Sequence, residues 1–161
     1  VQTVQYLKGH RKVFVVLAGS FLFVNVLYYL HGYYTHYYTI YSKEWQYGYK
    51  ESIEYIKSVE NKYDQIRITM SLGRPYIYTA FYTQTSPKTF RESVVVQRDG
   101  FGFVTVWGFS KYRFSHNLSS IKGNTRKSLY IDVPERVHPK GDVLRRFYLL
   151  NVEVMLVAYR L

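Results

Sequence analysis

Val13-Phe-Val-Val-Leu-Ala-Gly-Ser-Phe-Leu-Phe-Val-Asn-Val-Leu-Tyr-Tyr-Leu30 runs without a charge, and after Lys12 the next Lys, Arg, Asp or Glu is Lys43. An α-helix needs about 20 largely apolar residues to cross a hydrocarbon core about 30 Å thick, so this run, extended into the tyrosines that follow, is long enough. Its strongly polar side chains are Ser20 and Asn25, and Asn25 is suited to bonding a neighbouring helix. The reading is one transmembrane helix at about 13–34, within an N-terminal segment 1–41. A buried core helix of a soluble protein is the competing reading, and the flanks argue against it.

Lys8, Arg11 and Lys12 precede the run, while Tyr28, Tyr29, Tyr33, Tyr34, Tyr37, Tyr38 and Tyr41 crowd its far end. Tyrosine rings, apolar in body and polar at the tip, collect where a bilayer meets water, and basic residues beside a span favour its cytoplasmic end. Residues 42–161 are therefore expected outside the cytoplasm, in a protein of the cell membrane. The chain starts at Val1, and nothing of signal-peptide form precedes the apolar run, so it reads as a fragment or a processed product.

The remaining 120 or so residues suffice for one modest core. With no cysteine, disulfides, thiolate metal sites and a cysteine nucleophile are excluded. A net charge of +11, from 22 Lys+Arg against 11 Asp+Glu, suits nucleic acid, an anionic lipid surface or a phosphorylated ligand without choosing among them.

Ser42 is placed to cap a helix over 43–61, with Trp45, Tyr49, Ile53, Ile56 and Tyr63 near one stripe. Asp64 to Met70 alternates as a strand, with Ile66, Ile68 and Met70 on one face. Pro75 opens a helix to Gln84, and Ser86-Pro87 restarts a shorter one. Strands are expected at Val94–Gln97, Phe103–Trp107 and Leu129–Val133, with a terminal pair at Val143–Tyr148 and Val152–Tyr159. Leu149-Leu150-Asn151 lacks the glycine usual in a tight hairpin. Ser115–Lys127 reads as an exposed loop, and Asn117-Leu118-Ser119 matches the N-glycosylation pattern. The fold class is α/β or α+β: an N-terminal transmembrane helix, then a small domain that opens helix, strand, helix and has a mostly β second half.

Chemistry is sparse. Gly73-Arg74, between a strand and a helix, is where backbone N–H groups and a guanidinium could hold a phosphate or another ligand; a loop with a surface arginine is the plainer reading, since no glycine-rich phosphate fingerprint accompanies it. The five histidines are scattered, so no metal site is expected. Asp64, Asp99, Asp132 and Asp142 read as isolated rather than as an acid–base pair. Phe101, Phe103, Trp107 and Phe109 among Lys111 and Arg113 could be an aromatic platform for nucleic acid, but strand alternation makes Phe103 and the valines core residues more simply. No nucleic-acid partner is expected.

Trp45-Gln-Tyr-Gly-Tyr-Lys-Glu-Ser-Ile-Glu-Tyr-Ile, then Lys62-Tyr-Asp-Gln-Ile-Arg-Ile-Thr, Gly73-Arg-Pro-Tyr-Ile-Tyr and Phe81-Tyr, continued by Gly102-Phe103-Val104 and Gly108-Phe109-Ser110-Lys111-Tyr112, resembles the C-terminal extracytoplasmic region of bacterial family 39-like membrane glycosyltransferases of the GT-C fold. The likeness covers nearly the whole chain. It implies a multi-spanning parent enzyme that moves a sugar from a polyprenyl-phosphate carrier to an extracytoplasmic acceptor. Its catalytic acidic residue would lie in an early loop outside this chain, so no catalytic residue carries over, and no cofactor is implied for residues 1–161. A divalent metal in the parent stays open. The implied partners are the bilayer, the lipid-linked sugar and the parent's other transmembrane helices. A non-enzymatic membrane-tethered domain that binds an envelope polymer or a partner protein is the competing function.

Overall fold

The computed structural model describes residues 2–118 and 127–161, and the chain divides into two compact units, Val1–Tyr41 and Ser42–Leu161.

The first unit is one continuous helical rod: α1 (Gln2–His31), a π-helical turn (Gly32–Tyr37) and a last α turn (Tyr38–Ile40). His10–Ile40, 31 residues, is long and apolar enough to cross a membrane, a longer stretch than 13–34. None of its apolar window is buried against the described residues. Asn25 donates one N–H to the Phe21 carbonyl of its own helix at 2.7 Å. The π turn is a one-residue widening, and with i→i+5 spacing it sets the His31 and His36 rings edge to face, 5.3 Å apart. Tyr29, Tyr33, Tyr37 and Tyr41 form a ladder of rings along one side, with centroids 6.1, 5.3 and 4.6 Å apart in turn.

In the second unit, α2 (Tyr49–Val59) starts later than the sequence pattern suggests. Ser42 does not cap it: Ser42 is buried, its carbonyl accepts from the Tyr47 amide at 3.0 Å, and Gly48, at φ +49°, is the residue that precedes the helix. Trp45 belongs to that turn and is exposed, so it leaves the expected stripe, while Tyr49, Ile53 and Ile56 are buried as the periodicity predicts. Tyr63 follows a short 3-10 turn (Glu60–Lys62) and is half-buried. Next come β1 (Gln65–Thr69), α3 (Pro75–Tyr82) and α4 (Pro87–Ser93). Proline opens both short helices, and the Ser86 hydroxyl accepts from the Thr89 amide at 3.1 Å to cap the second.

Among the described residues six more strands follow: β2 (Val95–Arg98), β3 (Val104–Phe109), β4 (Tyr112–Ser115), β5 (Ser128–Asp132), β6 (Asp142–Tyr148) and β7 (Val154–Arg160). All seven form one mixed sheet in the order β2-β3-β4-β1-β5-β7-β6. β1 is flanked by parallel neighbours on both sides, Ile68 opposite Phe114 and Ile131, and every other pairing is antiparallel. The domain is α/β, opens helix, strand, helix, and is mostly β thereafter.

β4 has no counterpart in the sequence reading. It is reached by a two-residue turn, Ser110-Lys111, with Ser110 at φ +48°, and neither residue is the Asn or Gly that usually signals such a hairpin. Gly108 opposite Arg113 lets the strands close, since a Cβ there would come 2.6 Å from the Tyr112 carbonyl.

Ile66, Ile68 and Met70 enter the main core with Tyr49, Ile53, Ile56, Phe109, Phe114, Leu129, Ile131 and Leu156. The other face of β1 is buried as well, which period-two alternation with polar residues outward does not anticipate. Arg67 is 1% exposed, with its guanidinium 5.4 Å from the Tyr130 ring centre, and Tyr130 stacks on Tyr159 at 5.1 Å. A strand with neighbours on both edges and cover on both faces has no solvent side on which to place an arginine. At the start of the segment expected as an exposed loop, His116 and Asn117 are exposed, while Ser115 and Leu118 are buried, Leu118 in this second cluster. Residues 119–126, with Ser119 of the glycosylation triplet, lie outside the described residues. Phe103 is 66% exposed and is not a core residue, whereas Val106 is buried and Val104 half-buried.

Candidate functional site

β1, β4 and β5 run parallel and side by side, so their carboxyl ends, Thr69, Ser115 and Asp132, finish on one edge of the sheet. The chain leaves β1 toward the β2–β4 side and leaves β5 toward the β6–β7 side. Such a divergence at the carboxyl ends of parallel strands opens a crevice, the usual ligand position in open α/β sheets.

The crevice is polar. A cavity of about 520 Å³ is lined by His116, Asn117, Asp132 and Arg136. Asp132 ends a fully buried strand and is itself 3% exposed. Its Oδ1 accepts from the Val133 amide at 2.8 Å, and the Thr69 hydroxyl stands beside its carboxylate. Burial pushes the Asp132 carboxyl above the usual carboxylate range, and the nearby Glu135 adds to this; the Val133 N–H, the Thr69 hydroxyl and Arg136 pull the other way.

Arg136 closes a short 3-10 turn (Pro134–Arg136) that follows β5. Its Nη1 donates to the Ser71 hydroxyl at 2.8 Å and to the His116 carbonyl. One guanidinium thus bridges the loops after all three parallel strands. Ser71 in turn accepts from the Thr69 hydroxyl at 2.9 Å. The Arg136 side chain remains exposed, so a cation and a buried acid with raised proton affinity face one polar space. That arrangement can bind an anionic or hydroxyl-rich ligand, and a perturbed acid in a cleft is also the kind of group that exchanges a proton with one.

Gly73 and Arg74 belong to the same loop as Ser71. Gly73 has φ +121°, its amide is committed to the Met70 carbonyl at 3.2 Å, and a Cβ there would come 2.6 Å from the Gln46 Nε2. Its place is explained by the turn and by close approach to Gln46, which leaves the exposed Arg74 guanidinium as the part of this pair that can reach a ligand. Among the described residues, no group of three or more His, Cys, Asp and Glu is placed to hold a metal ion. Of the aromatic platform considered from sequence, Phe109 is buried and Trp107 is half-buried, donating to the Gln97 Oε1 at 3.0 Å, so the rings do not share an open face.

Asp132, Arg136, His116 and Ser71 were not legible as a group. They are scattered over 66 positions of sequence, and it is the parallel β4-β1-β5 trio that collects them; without β4 the trio is invisible. No protein-family model, curated protein or solved structure matches this chain.

Proposed function

We propose that this chain is the membrane-anchored C-terminal part of a glycosyltransferase that passes a sugar from a polyprenyl-phosphate donor to an acceptor outside the cytoplasm, with Ser42–Leu161 as its accessory recognition domain. The observation that carries the reading is the direct succession of a helix fit to cross a bilayer and a domain bearing the Trp45–Tyr82 motifs quoted above. A crevice with Arg136 at its rim supports it, because a guanidinium suits phosphate oxygens. The chemistry itself would reside in the parent, outside residues 1–161, with further transmembrane helices packed on α1.

The test is transfer of radiolabelled sugar from polyprenyl phosphate in membranes, comparing an upstream-extended protein with this chain alone. Transfer by the extended protein only is the expected result. A panel of lipid-linked sugars that neither form transfers overturns the reading. The second reading, a tethered binding module without chemistry, draws on the ligand-sized cavities in the domain, and it predicts retention of an envelope polymer by the chain alone.

A further inference from the structure

The chain enters the second unit at the carboxyl edge of the parallel strands. Lys43 lines a cavity of about 420 Å³ with Leu72 after β1, Pro134 after β5, and Leu149 and Glu153 of the β6–β7 turn. β7 runs antiparallel to β5 and β6 antiparallel to β7, so that turn leaves the sheet on the same edge. The apolar helix ends at Ile40, and the short stretch of chain from there to Lys43 reaches at most about 10 Å. With α1 across a bilayer, the tether keeps this edge close to the membrane surface.

The β6–β7 turn is apolar, whereas turns facing water are rich in Gly, Pro, Asn, Asp and Ser. Tyr148 is 45%, Leu150 38% and Val152 76% exposed. The backbone beneath them is pinned. The Leu149 amide donates to the Glu153 carbonyl at 2.8 Å, the Val152 amide to the Leu149 carbonyl at 3.0 Å, and the Glu153 amide to the Asn151 Oδ1 at 3.2 Å. The pinned turn holds Val152 at φ +70°, a strained conformation for a β-branched residue, and such strain gathers at sites of function.

At the opposite end of the strands, Ser110-Lys111 and His138-Pro139-Lys140-Gly141 make polar connections. The β2–β3 turn, with Phe101 90% exposed, also leaves from the carboxyl edge. Sheet twist aims that turn in a different direction, and the β6–β7 turn is the one that adjoins Lys43. Charges beside it are mixed, Lys43 and Arg146 against Glu135 and Glu153, which points to the apolar phase of a bilayer rather than to anionic head groups.

We propose that the β6–β7 turn is a membrane-docking tip: Leu150 and Val152, with the Tyr148 ring behind them, enter the interface of the bilayer that α1 spans. This rests on the membrane-anchored reading of α1 and not on any transferase chemistry. Span and tip belong to one chain, so docking is intramolecular, at an effective concentration in the millimolar range for a short tether. A few apolar groups that could not recruit a free protein then suffice, and a tyrosine ring suits head-group level. Docking holds the mouth of the polar crevice, which opens on the same edge, at the membrane surface.

The chain has no cysteine, so a nitroxide on a single introduced one reports a single position. The full chain is reconstituted in phosphatidylcholine vesicles at a high lipid-to-protein ratio. Power saturation then compares collision with oxygen, which concentrates in lipid, and with a water-soluble nickel chelate. Leu150→Cys and Val152→Cys are the reporters, each leaving the other apolar residue in place. Val24→Cys reports the span, and Lys140→Cys, at the far end of β6, reports water. The labels at Leu150 and Val152 are expected to favour oxygen in low and high salt alike, and the label at Lys140 to favour nickel. Val152→Asn, which relaxes the turn, should shift the Leu150 label toward nickel without lowering the thermal midpoint. Nickel access at the tip equal to that at Lys140 overturns the docking, and so does an oxygen preference abolished by high salt. Access to neither reagent means that protein, such as a second copy of the chain, covers the tip, and this overturns it too. Lipid at Val24 with water at the tip removes the docking alone and leaves the anchored reading standing, whereas water at Val24 as well removes both.

Discussion

The Arg136 guanidinium donates to the Ser71 hydroxyl at 2.8 Å and ties the loop after β5 to the loop after β1 across the carboxyl edge of the parallel strands. Because the same nitrogen also reaches the His116 carbonyl, the side chain works as a clip over three loops. Arg136→Ala is expected to lower domain stability by about 1 kcal/mol, the usual net worth of such bonds at an exposed site. Arg136→Lys should recover part of this, since both bonds leave a single nitrogen and an ammonium carries three donors, though on a shorter stem. Urea unfolding of the full chain in detergent, followed by Trp107 emission in a Trp45→Phe background, measures both.

Asp132 sets a pH dependence whose sign follows from its burial. Its folded carboxyl holds a proton more tightly than the unfolded chain does. The stabilising contribution is therefore complete below the ordinary value of 3.8 and is lost as pH rises through the folded value. Asp132→Asn keeps an acceptor for the Val133 amide and carries no charge. Its stability relative to the natural protein should rise on going from about pH 3 to about pH 7. A difference that is flat across this range, or that falls, counts against a buried acid at this place.

How far these features could be read in advance depended on the kind of signal. The apolar run before Leu30, the proline-led helices and the Ile66-Ile68-Met70 face are local patterns, and each forms where its pattern lies. β4 escaped because its hairpin turns on Ser110 at positive φ rather than on Asn-Gly. Trp45 looked like a stripe residue because helical spacing does not reveal that Gly48 interrupts the chain first. Arg67 looked solvent-facing because alternation says nothing about what covers the second face of a central strand. The crevice is a product of tertiary assembly, its loops tied together where Ser71 meets Arg136.

The β6–β7 hairpin closes without glycine at the expense of its own backbone. Val152 sits at φ +70° and is exposed, its amide donating to the Leu149 carbonyl at 3.0 Å. A left-handed conformation costs an L-residue roughly 1–2 kcal/mol, and a β-branched one is especially ill suited to it. Val152→Asn or Val152→Gly should stabilise the domain by about 1 kcal/mol, raising the thermal midpoint by roughly 3–6 °C. An unchanged or lowered midpoint for both variants contradicts the turn as described.

Alkali should unfold the domain through its buried phenols. Burial, more than any neighbour, pushes Tyr159 up to about 12 and Tyr49 and Tyr112 higher still, with the Tyr112 hydroxyl also committed to the Glu60 carboxylate at 2.7 Å. The contribution of these groups is intact below their ordinary value of 10.0 and declines as pH climbs toward 12. Tyrosinate absorbance should therefore show an early wave from surface rings and a late one coincident with loss of near-UV dichroism. Tyr112→Phe should shrink the late wave and cost about 1–2 kcal/mol at neutral pH through the lost bond.

The span from His10 to Ile40 makes the membrane reading open to a depth test. Its 31 residues reach about 46 Å at 1.5 Å per residue, more than a hydrocarbon core of about 30 Å, so in a spanning orientation its ends would lie at the level of head groups and water. Val24 is near the midpoint, whereas Tyr34 is within the aromatic ladder near one end. An arginine at the centre of a spanning helix costs roughly 2.5–3.5 kcal/mol of insertion and much less near an interface. Val24→Arg should sharply reduce the fraction of chain resistant to alkaline carbonate extraction, and Tyr34→Arg should leave it nearly unchanged. Equal tolerance of both substitutions would mean that this helix lies along a surface or packs against protein, because only a span has a costly centre and a forgiving end.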